Sequence, residues 1–261
     1  MRENKLRTLW EKDQNVVNGW LAIPSSYATE VMANCGFDSL TIDMQHGMAD
    51  YSDTVPMLQA ISTTDAAPMA RVRWNEPGAI MRLLDAGCYG IICPMINSVA
   101  ECEAFVQACR YPPNGYRSFG PVRASVYAGA DYFNHANTTV VTMAMIETKQ
   151  AIDKLDDILS VPGLDSIYVG PADLAISLGR KPMMDHEDAP MLDILKHVVE
   201  RCKAHGVRAG LHCGTAEYAL KMVDMGFRFT TLASDSRFMT LAAMSAVNTM
   251  KTAKTTSKIV Y

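Results

Sequence analysis

Eight short, apolar segments alternate with segments of helical pattern along the chain of 261 residues. Continuous apolar runs are typical of parallel strands that are covered on both faces. Eight strand–helix units in a chain of this length most simply close into a (β/α)8 TIM barrel. A doubly wound open sheet is the alternative, but the first strand lacks the glycine-rich dinucleotide loop that would favour it. We predict strands over residues 16–23, 39–43, 67–73, 90–94, 140–147, 166–170, 207–212 and 229–233.

The barrel is expected to fill residues 1–261 as a single domain with additions at both ends. A polar lead-in helix is predicted over residues 1–15, and a C-terminal helix plus tail over residues 235–261. The regular alternation of strand and helix patterns is lost between residues 111 and 138, where only one helix is predicted, near 128–135. Long irregular excursions of this kind are often functional in compact domains.

The composition argues against several classes of function. The formal net charge is −4, and the Lys and Arg residues are scattered, so the chain lacks the basic footprint of a nucleic-acid-binding protein. Seven cysteines without a C-x-x-C pair favour a reducing compartment over a zinc cluster or redox pair. The charged N-terminus has no apolar signal core, and no apolar run is long enough to cross a membrane. We therefore expect a cytoplasmic protein that acts on a small molecule.

Polar side chains collect at the carboxyl ends of the predicted strands, which form the active-site rim of a barrel. The second strand, residues 39–43, runs directly into Asp43, Gln45 and His46. Polar residues of this kind are not needed to bury a strand, but they are expected where a strand ends at an active site. The other rim groups are Arg71 and Arg73 on the third strand, Glu147 on the fifth, residues 170–173 after the sixth and His212 on the seventh.

Two of these rim groups, Glu147 and Asp173, are carboxylates on neighbouring strands. They would repel each other unless a cation bridged them, and no lysine ends the strands between them. Carboxylate oxygens completed by water and substrate suit a hard divalent ion such as Mg²⁺ or Mn²⁺. The alternative is that each carboxylate pairs with a basic residue, for example Glu147 with Lys149.

His46 is the predicted general base of the site. A lone loop histidine is usually solvated, but the neighbouring Asp43 and Gln45 favour a histidine that transfers protons. Such a base needs a carboxylate to orient it, and Asp85, at the end of an apolar helix, is the candidate. The alternative for Asp85 is a helix-end carboxylate that faces water, because the sequence does not place it at the His46 end of the barrel.

Arg71 could stabilise a developing enolate or bind a substrate carboxylate in the barrel mouth. Strand alternation predicts that Arg73 lies on the same face. An ion pair of Arg71 with Asp43 or Glu76 is the alternative.

The segment Gly170-Pro171-Ala172-Asp173 follows the sixth strand and begins a helix, so its backbone N–H groups offer an anion site for a substrate carboxylate. His212 could form a second polar wall of the site, although an ordinary loop histidine explains it equally well.

Several ordered motifs are similar to those of the HpcH/HpaI family of class II pyruvate aldolases, within the phosphoenolpyruvate/pyruvate barrel superfamily. The resemblance extends from about the first strand to the last helix, and the order and spacing of the motifs make it specific. The motifs are IDMQHG at 42–47, ARV at 70–72, LDAGCYG at 84–90, PM at 94–95, RYPPNGYR at 110–117, IET at 146–148 and GPADL at 170–174.

The resemblance implies a role for each site residue. Glu147 and Asp173 would be the metal ligands, for Mg²⁺ or Mn²⁺ with Co²⁺ or Zn²⁺ as further possibilities. His46 would be the base, assisted by Asp85, and Arg71 would stabilise the enolate. The backbone around residues 170–173 would bind the pyruvate carboxylate.

The resemblance also implies an activity and an assembly. Such enzymes are carbon–carbon lyases that make or cleave 4-hydroxy-2-oxo acids from an aldehyde and a pyruvate- or hydroxypyruvate-type enolate. The family is typically hexameric, as a trimer of dimers, with the last helix packed on a neighbouring subunit. Two positions depart from the family pattern, since Gln45 stands where Glu is frequent and Met145 where a substrate-contacting Gln is known.

Other functions remain open at the level of sequence. An oxaloacetate decarboxylase or a lyase of CoA thioesters would share the superfamily and the metal enolate. A noncatalytic barrel that binds a 2-oxo acid is the alternative from a different class. A Schiff-base aldolase is disfavoured, because no predicted strand ends in a lysine inside the barrel.

Overall fold

A computed structural model describes the backbone of residues 1–256 and the side chains of residues 1–252. Eight parallel strands pair in sequence order, and β8 pairs with β1 to close the barrel. The predicted (β/α)8 fold is therefore confirmed. The strands are β1 Val16–Leu21, β2 Ser39–Asp43, β3 Ala67–Arg71, β4 Gly90–Cys93, β5 Val141–Ile146, β6 Ser166–Val169, β7 Arg208–Cys213 and β8 Phe229–Leu232.

Helices connect the strands. They are α1 Lys5–Glu11, α2 Ser26–Ala33, α3 Tyr51–Ile61, α4 Pro77–Asp85, α5 Val99–Ala108, α6 Val122–Ala128, α7 Tyr132–Thr139, α8 Lys149–Asp153, α9 Leu155–Leu159, α10 Pro171–Ser177, α11 Ala189–His205, α12 Ala216–Met225 and α13 Asp235–Thr256.

Local sequence chemistry accounts for several helix boundaries. The side chains of Ser25 and Ser98 accept backbone N–H bonds and cap α2 and α5. Gly206 ends α11 in the left-handed conformation, with φ +69°, which glycine adopts without steric cost. The excursion after α5 differs from the prediction, because it contains two helices, α6 and α7, instead of one. The last residues of the predicted tail, 257–261, lie outside the described part of the chain.

The barrel interior is closed at one end and open at the other. Leu6 and Trp10 of α1 are buried against the amino-terminal end of the strands, and the indole N–H of Trp10 donates to the Arg228 carbonyl at 2.7 Å. Large side chains from the strands, including Met143 and Phe229, fill the middle layers. The predicted site residues lie at the opposite, carboxyl end of the barrel, where active sites of such barrels are found.

The last helix, α13, is joined to the barrel at its start, where the Asp235 carboxylate accepts from the backbone N–H groups of Ala22 and Ile23 at 2.9 and 3.1 Å. Most of its 22 residues are exposed, including Phe238, Met239, Leu241, Met244, Val247 and Met250. Over the described residues, no helix combines the length and apolar character needed to span a bilayer.

Candidate active site

A cavity of about 260 Å³ opens at the carboxyl end of the barrel, and we refer to it as the catalytic cavity. Its wall brings together most of the side chains and backbone segments that the sequence predicted for the site. Glu147 lies directly behind this wall, since a β-carbon added to Gly170 would approach its Oε2 atom to 2.5 Å. The lining residues are Trp20, Ala22, Asp43, His46, Arg71, Met145, Tyr168, Gly170, Pro171, Ala172, Asp173, Met184, His212 and Ser234.

Glu147 follows the last residue of β5 and is only 2% exposed. Its Oε1 atom accepts a 2.8 Å hydrogen bond from the backbone N–H of Met95, a residue held at the unusual φ of +56°. The pKa of Glu147 is raised to about 7, chiefly by burial and also by the charge of Asp173, and the Met95 N–H and Arg71 oppose these effects. The carboxyl group is thus poised to lose its proton when a cation arrives.

The two carboxylates form the acidic side of the site. Asp173 lies in the first turn of α10, beside Gly170, whose lack of a side chain leaves room for Glu147. The alternative pairing of Glu147 with Lys149 is not present, because Lys149 bonds to Asp153. Within residues 1–252 no group of three or more His, Cys, Asp or Glu side chains could hold a metal alone. A metal between these two carboxylates would need water and substrate oxygens to complete its coordination, which is typical of an open, catalytic site.

Arg71 and Asp43 form a buried, bidentate ion pair at the ends of β3 and β2. Arg71 Nε and Nη2 donate to the two carboxylate oxygens at 2.8 and 2.7 Å, and Trp20 Nε1 donates to Oδ2 at 3.2 Å. Burial alone would raise the pKa of Asp43, but the bonds from Arg71 outweigh it and lower that pKa. No residue among 1–252 accepts a side-chain hydrogen bond from Arg71 Nη1, so this amino group is available to a substrate oxygen in the cavity.

Arg73 does not join Arg71 at the site, and this prediction was wrong. Strand β3 ends at Arg71, so the two-residue alternation no longer holds for Arg73. The Arg73 side chain is exposed outside the barrel and pairs with Asp50, while its Nε donates to the Met44 carbonyl.

His46 lies on the rim of the catalytic cavity with an exposed side chain. Its backbone N–H donates to Asp43 Oδ1 at 3.3 Å, which fixes the turn after β2. Its imidazole has no hydrogen-bond partner within residues 1–252, so no hydrogen bond from this described part of the chain orients the ring.

Among residues 1–252 of one chain, Asp85 does not bond to His46, so its predicted role stays a prediction. It is the last residue of α4, which runs from the carboxyl end of β3 back towards the amino end of the barrel. Four residues later, the Tyr89 N–H already bonds to the carbonyl of Pro68 at the start of β3. Asp85 Oδ1 instead accepts a 2.7 Å bond from the buried guanidinium of Arg117.

The two departures from the family pattern have different surroundings. Met145 lines the catalytic cavity, where it presents an apolar surface close to Gly170. Gln45 does not line it, and its side-chain Oε1 is buried without a hydrogen-bond partner among the described residues.

Sequence reasoning gave no site role to two aromatic residues in the wall, Trp20 and Tyr168. Both lie on strands, and alternation along β1 and β6 could have placed them inward. Tyr168 donates or accepts a 2.8 Å hydrogen bond at His212 Nδ1 and stacks at 5.8 Å on Trp20. His212 itself lines the cavity, so it belongs to the site and is not a loop histidine.

Comparison with known proteins finds relatives that match nearly the whole chain. The chain is 43% identical over 244 residues to a hydroxypyruvate/pyruvate aldolase of Rhizorhabdus wittichii, covering 94% of this chain and 97% of the relative. It is 33% identical over 250 residues to a 5-keto-4-deoxy-D-glucarate aldolase of Escherichia coli, covering 95% and 97%. The crystal structure of an HpcH/HpaI aldolase/citrate lyase family protein from Burkholderia cenocepacia superposes with a TM-score of 0.87 at 30% identity, covering 94% and 98%.

These findings confirm the predicted carbon–carbon lyase of the aldolase type. The profile of HpcH/HpaI aldolase/citrate lyase matches residues 18–241, which include all eight strands except the start of β1. The chain therefore belongs to the HpcH/HpaI aldolase/citrate lyase family.

Proposed function

We propose that this protein is a divalent-metal-dependent aldolase that forms and cleaves 4-hydroxy-2-oxo acids through the enolate of pyruvate or hydroxypyruvate. The aldolases of Rhizorhabdus wittichii and Escherichia coli, by their names, act on substrates of this chemical class. The observation that carries the proposal is the pair Glu147 and Asp173 beside the start of α10. Glu147 is buried, and neither carboxylate forms an ion pair with a basic side chain among residues 1–252.

Glu147 and Asp173 are the side chains that would hold the ion, with Mg²⁺ or Mn²⁺ preferred because all protein donors are oxygens. The raised pKa of Glu147 fits this role, since a nearby like charge and burial leave the pair in need of positive charge. Once bound, the ion supplies Lewis-acid polarisation of the substrate's 2-oxo group, which makes the neighbouring carbon more acidic.

The remaining groups of the wall hold the 2-oxo acid and its developing charge. The backbone of Gly170, Pro171, Ala172 and Asp173 would receive the carboxylate end at the start of α10. Arg71 would donate from Nη1 to the oxygen that becomes the enolate, and Asp43 would keep the guanidinium in position.

Cleavage of a 4-hydroxy-2-oxo acid requires two proton transfers. A base takes the proton of the 4-hydroxyl as the C3–C4 bond breaks, and the electron pair of that bond forms the enolate. A proton then returns to C3 and completes pyruvate. His46 is the group at the open rim that would carry both protons, because an imidazole accepts and donates near neutral pH.

A second copy of the chain would supply what His46 lacks here. Asp85 lies beside Gly120, and the neighbouring Phe119 and Val122 are 69% and 82% exposed. An apolar surface of this kind is typical of subunit contacts. We propose a hexamer, as a trimer of dimers, in which α13 packs on a neighbouring subunit and Asp85 of one copy assists His46 of another.

The proposal is tested by removing the metal. The protein is treated with EDTA, and retro-aldol cleavage of 4-hydroxy-2-oxo acids is followed by pyruvate release before and after Mn²⁺ or Mg²⁺ is restored. We expect loss and recovery of activity in the native protein and in the exposed control Asp193→Asn, but no recovery in Asp173→Asn.

Activity that survives thorough chelation would contradict a metal enolate. Metal binding without turnover of any 4-hydroxy-2-oxo acid would favour a noncatalytic barrel that binds 2-oxo acids. Turnover confined to oxaloacetate, or to CoA thioesters, would identify a decarboxylase or a CoA lyase instead.

A further inference from the structure

Trp20 contacts both members of the ion pair between Arg71 and Asp43. Strand β1 pairs with β2 at Trp20 and Thr41, and β2 pairs with β3 at Asp43 and Arg71. Three neighbouring strands therefore bring an indole, a carboxylate and a guanidinium together in the wall of the catalytic cavity. All three residues are buried, with exposed fractions of 4% for Trp20, 3% for Asp43 and 8% for Arg71.

The hydrogen bonds of the ion pair leave one nitrogen of Arg71 for the substrate. The guanidinium is planar, and its Nε and Nη2 atoms both donate to Asp43. Nη1 is therefore the nitrogen that points away from the carboxylate, and it is the proposed donor to the enolate oxygen. Its direction is set by the orientation of the whole guanidinium plane, because the group is rigid. Since a hydrogen bond weakens steeply as its angle closes, a tilted plane would be a poor donor.

Asp43 by itself does not fix that plane. The carboxylate is held in place by the backbone N–H groups of Gln45 and His46, which donate to Oδ1 at 3.1 and 3.3 Å. Its two parallel hydrogen bonds with Arg71 set the distance and the in-plane angle between the two groups. They restrain rotation about the axis that joins the two groups only weakly. A further contact on the face of the guanidinium is needed to prevent this tilt.

Trp20 supplies that contact, and it does so from a rigid ring system that also binds Asp43. The indole Nε1 donates at 3.2 Å to Oδ2, the oxygen that also accepts from Arg71 Nη2. The indole ring lies against the guanidinium face, with Arg71 Cζ 4.8 Å from the ring centroid. The quadrupole of the ring attracts a cation in this position, most strongly where water is excluded. Indole and guanidinium N–H groups can only donate, so neither contact depends on a choice of proton position.

The indole is itself held by other rings. The Tyr168 ring lies parallel to it, with centroids 5.8 Å apart and an interplanar angle of 7°. The His212 ring meets it edge-on at 5.0 Å and 82°. Trp10 makes a different kind of bond, since its indole donates to the Arg228 carbonyl at the amino end of the barrel. Trp20 thus differs from an ordinary buried tryptophan in that both its N–H group and its ring contact charged groups of the site.

We infer that Trp20 is a positioning residue for Arg71. Its N–H group and its ring face together hold Arg71 Nη1 towards the oxygen of the developing enolate. This role rests on the proposed aldolase function and adds a residue to its machinery. Because that oxygen gains its charge only as the substrate loses a proton, the loss of Trp20 should slow enolate formation and should affect binding of the 2-oxo acid little.

The first experiment measures the exchange of pyruvate methyl protons into D2O by the Mn²⁺-loaded protein, which reports enolate formation without an aldehyde. Trp20→Phe keeps a ring but removes the N–H donor, so kcat should fall about tenfold while KM for pyruvate changes less than about threefold. Trp20→Leu removes both contacts, and kcat should fall about 100-fold. The matched control Trp10→Phe removes a buried indole N–H bond at the opposite end of the barrel and should leave kcat unchanged.

A double-mutant cycle separates positioning from a merely structural role. Arg71→Lys has no planar fork to hold, so adding Trp20→Phe to it should lower kcat by less than about threefold. If Trp20 only supported the fold of the wall, Trp20→Phe would lower kcat by the same factor in the native and the Arg71→Lys backgrounds.

The second experiment observes the guanidinium in the native, metal-free protein, so it does not require a folded Trp20 variant. Arginine-selective ¹⁵N labelling is combined with NMR, and the Arg71 signals are assigned by their absence in Arg71→Lys. The Nη protons of Arg71 should give separate signals, because its hydrogen bonds prevent rotation of the guanidinium. The ring current of the indole should also shift them upfield of those of the other arginines.

The outcomes separate this inference from the proposed function. An unchanged kcat in Trp20→Phe, an equal loss in both backgrounds, or Arg71 signals that are averaged or not shifted upfield would overturn the role of Trp20. Exchange of pyruvate protons by the native protein would leave the aldolase standing in each of these cases. If the native protein neither exchanges these protons nor adds pyruvate to an aldehyde, the proposed function fails and the inference fails with it.

Discussion

Replacing Glu147 by Gln should stabilise the metal-free protein at alkaline pH while it abolishes metal binding. The folded-state pKa of Glu147, about 7, lies above its ordinary value of 4.5. Between these values the folded state binds more protons than the unfolded state, so stability falls as pH rises through this window. By linkage, the native Glu147 carboxyl lowers the free energy of unfolding by about 3 kcal/mol at pH 8 and by about 1 kcal/mol at pH 5. A neutral Gln removes this cost and can still accept from the Met95 N–H.

The assay is urea denaturation in EDTA at both pH values. The unfolding free energy of Glu147→Gln should exceed that of the native protein by about 2 kcal/mol more at pH 8 than at pH 5. The exposed control Glu217→Gln should show no such pH-dependent difference. Adding Mn²⁺ at 100 times its dissociation constant should stabilise the native protein by about 2.7 kcal/mol and leave Glu147→Gln unchanged. An equal difference at both pH values would contradict the raised pKa of Glu147. A Glu147→Gln variant that Mn²⁺ still stabilises would contradict its role as a metal ligand.

Three further substitutions probe other parts of the wall. Gly170→Ala places a β-carbon 2.5 Å from Glu147 Oε2 and should displace that carboxylate. Mn²⁺ affinity, measured by titration calorimetry, should then fall at least about tenfold. An unchanged affinity would contradict the close contact between residue 170 and Glu147. Arg71→Lys keeps the charge but loses the bidentate hydrogen bonds to Asp43, so kcat for retro-aldol cleavage should fall about 100-fold. A decrease of less than about threefold would argue against Arg71 as the donor to the enolate. Met145→Gln makes the wall polar beside the 2-oxo acid and should change the ranking of pyruvate and hydroxypyruvate in an aldol assay, whereas an unchanged ranking would remove Met145 from specificity.

The barrel and most of its rim could be predicted because both depend on local patterns. Strand β2 has the predicted bounds, since its apolar run ends abruptly at Asp43. Parallel strands in a closed barrel all present their carboxyl ends at one rim, so His46, Arg71 and the segment 170–173 converge without any knowledge of side-chain contacts.

The rest could not be predicted, because contacts between distant parts of the chain determine it. The partner of Asp85 is Arg117, which reaches it from the excursion after α5, and no local pattern indicates that contact. Arg73 was misplaced because the point where β3 ends depends on its pairing with β4, whose last partner is Arg71. His212 remained ambiguous because its setting depends on Tyr168 and Thr231, which only the closed barrel brings together.

The central claim is that Glu147 and Asp173 hold a divalent ion beside a 2-oxo acid. It is tested most directly by a crystal structure of the protein with Mn²⁺ and pyruvate, in which anomalous scattering locates the ion. We expect Mn²⁺ bonded to both carboxylates and the pyruvate carboxylate at the start of α10, with Arg71 Nη1 facing the 2-oxo oxygen. An ion bound elsewhere, or pyruvate seated away from these carboxylates, would contradict it.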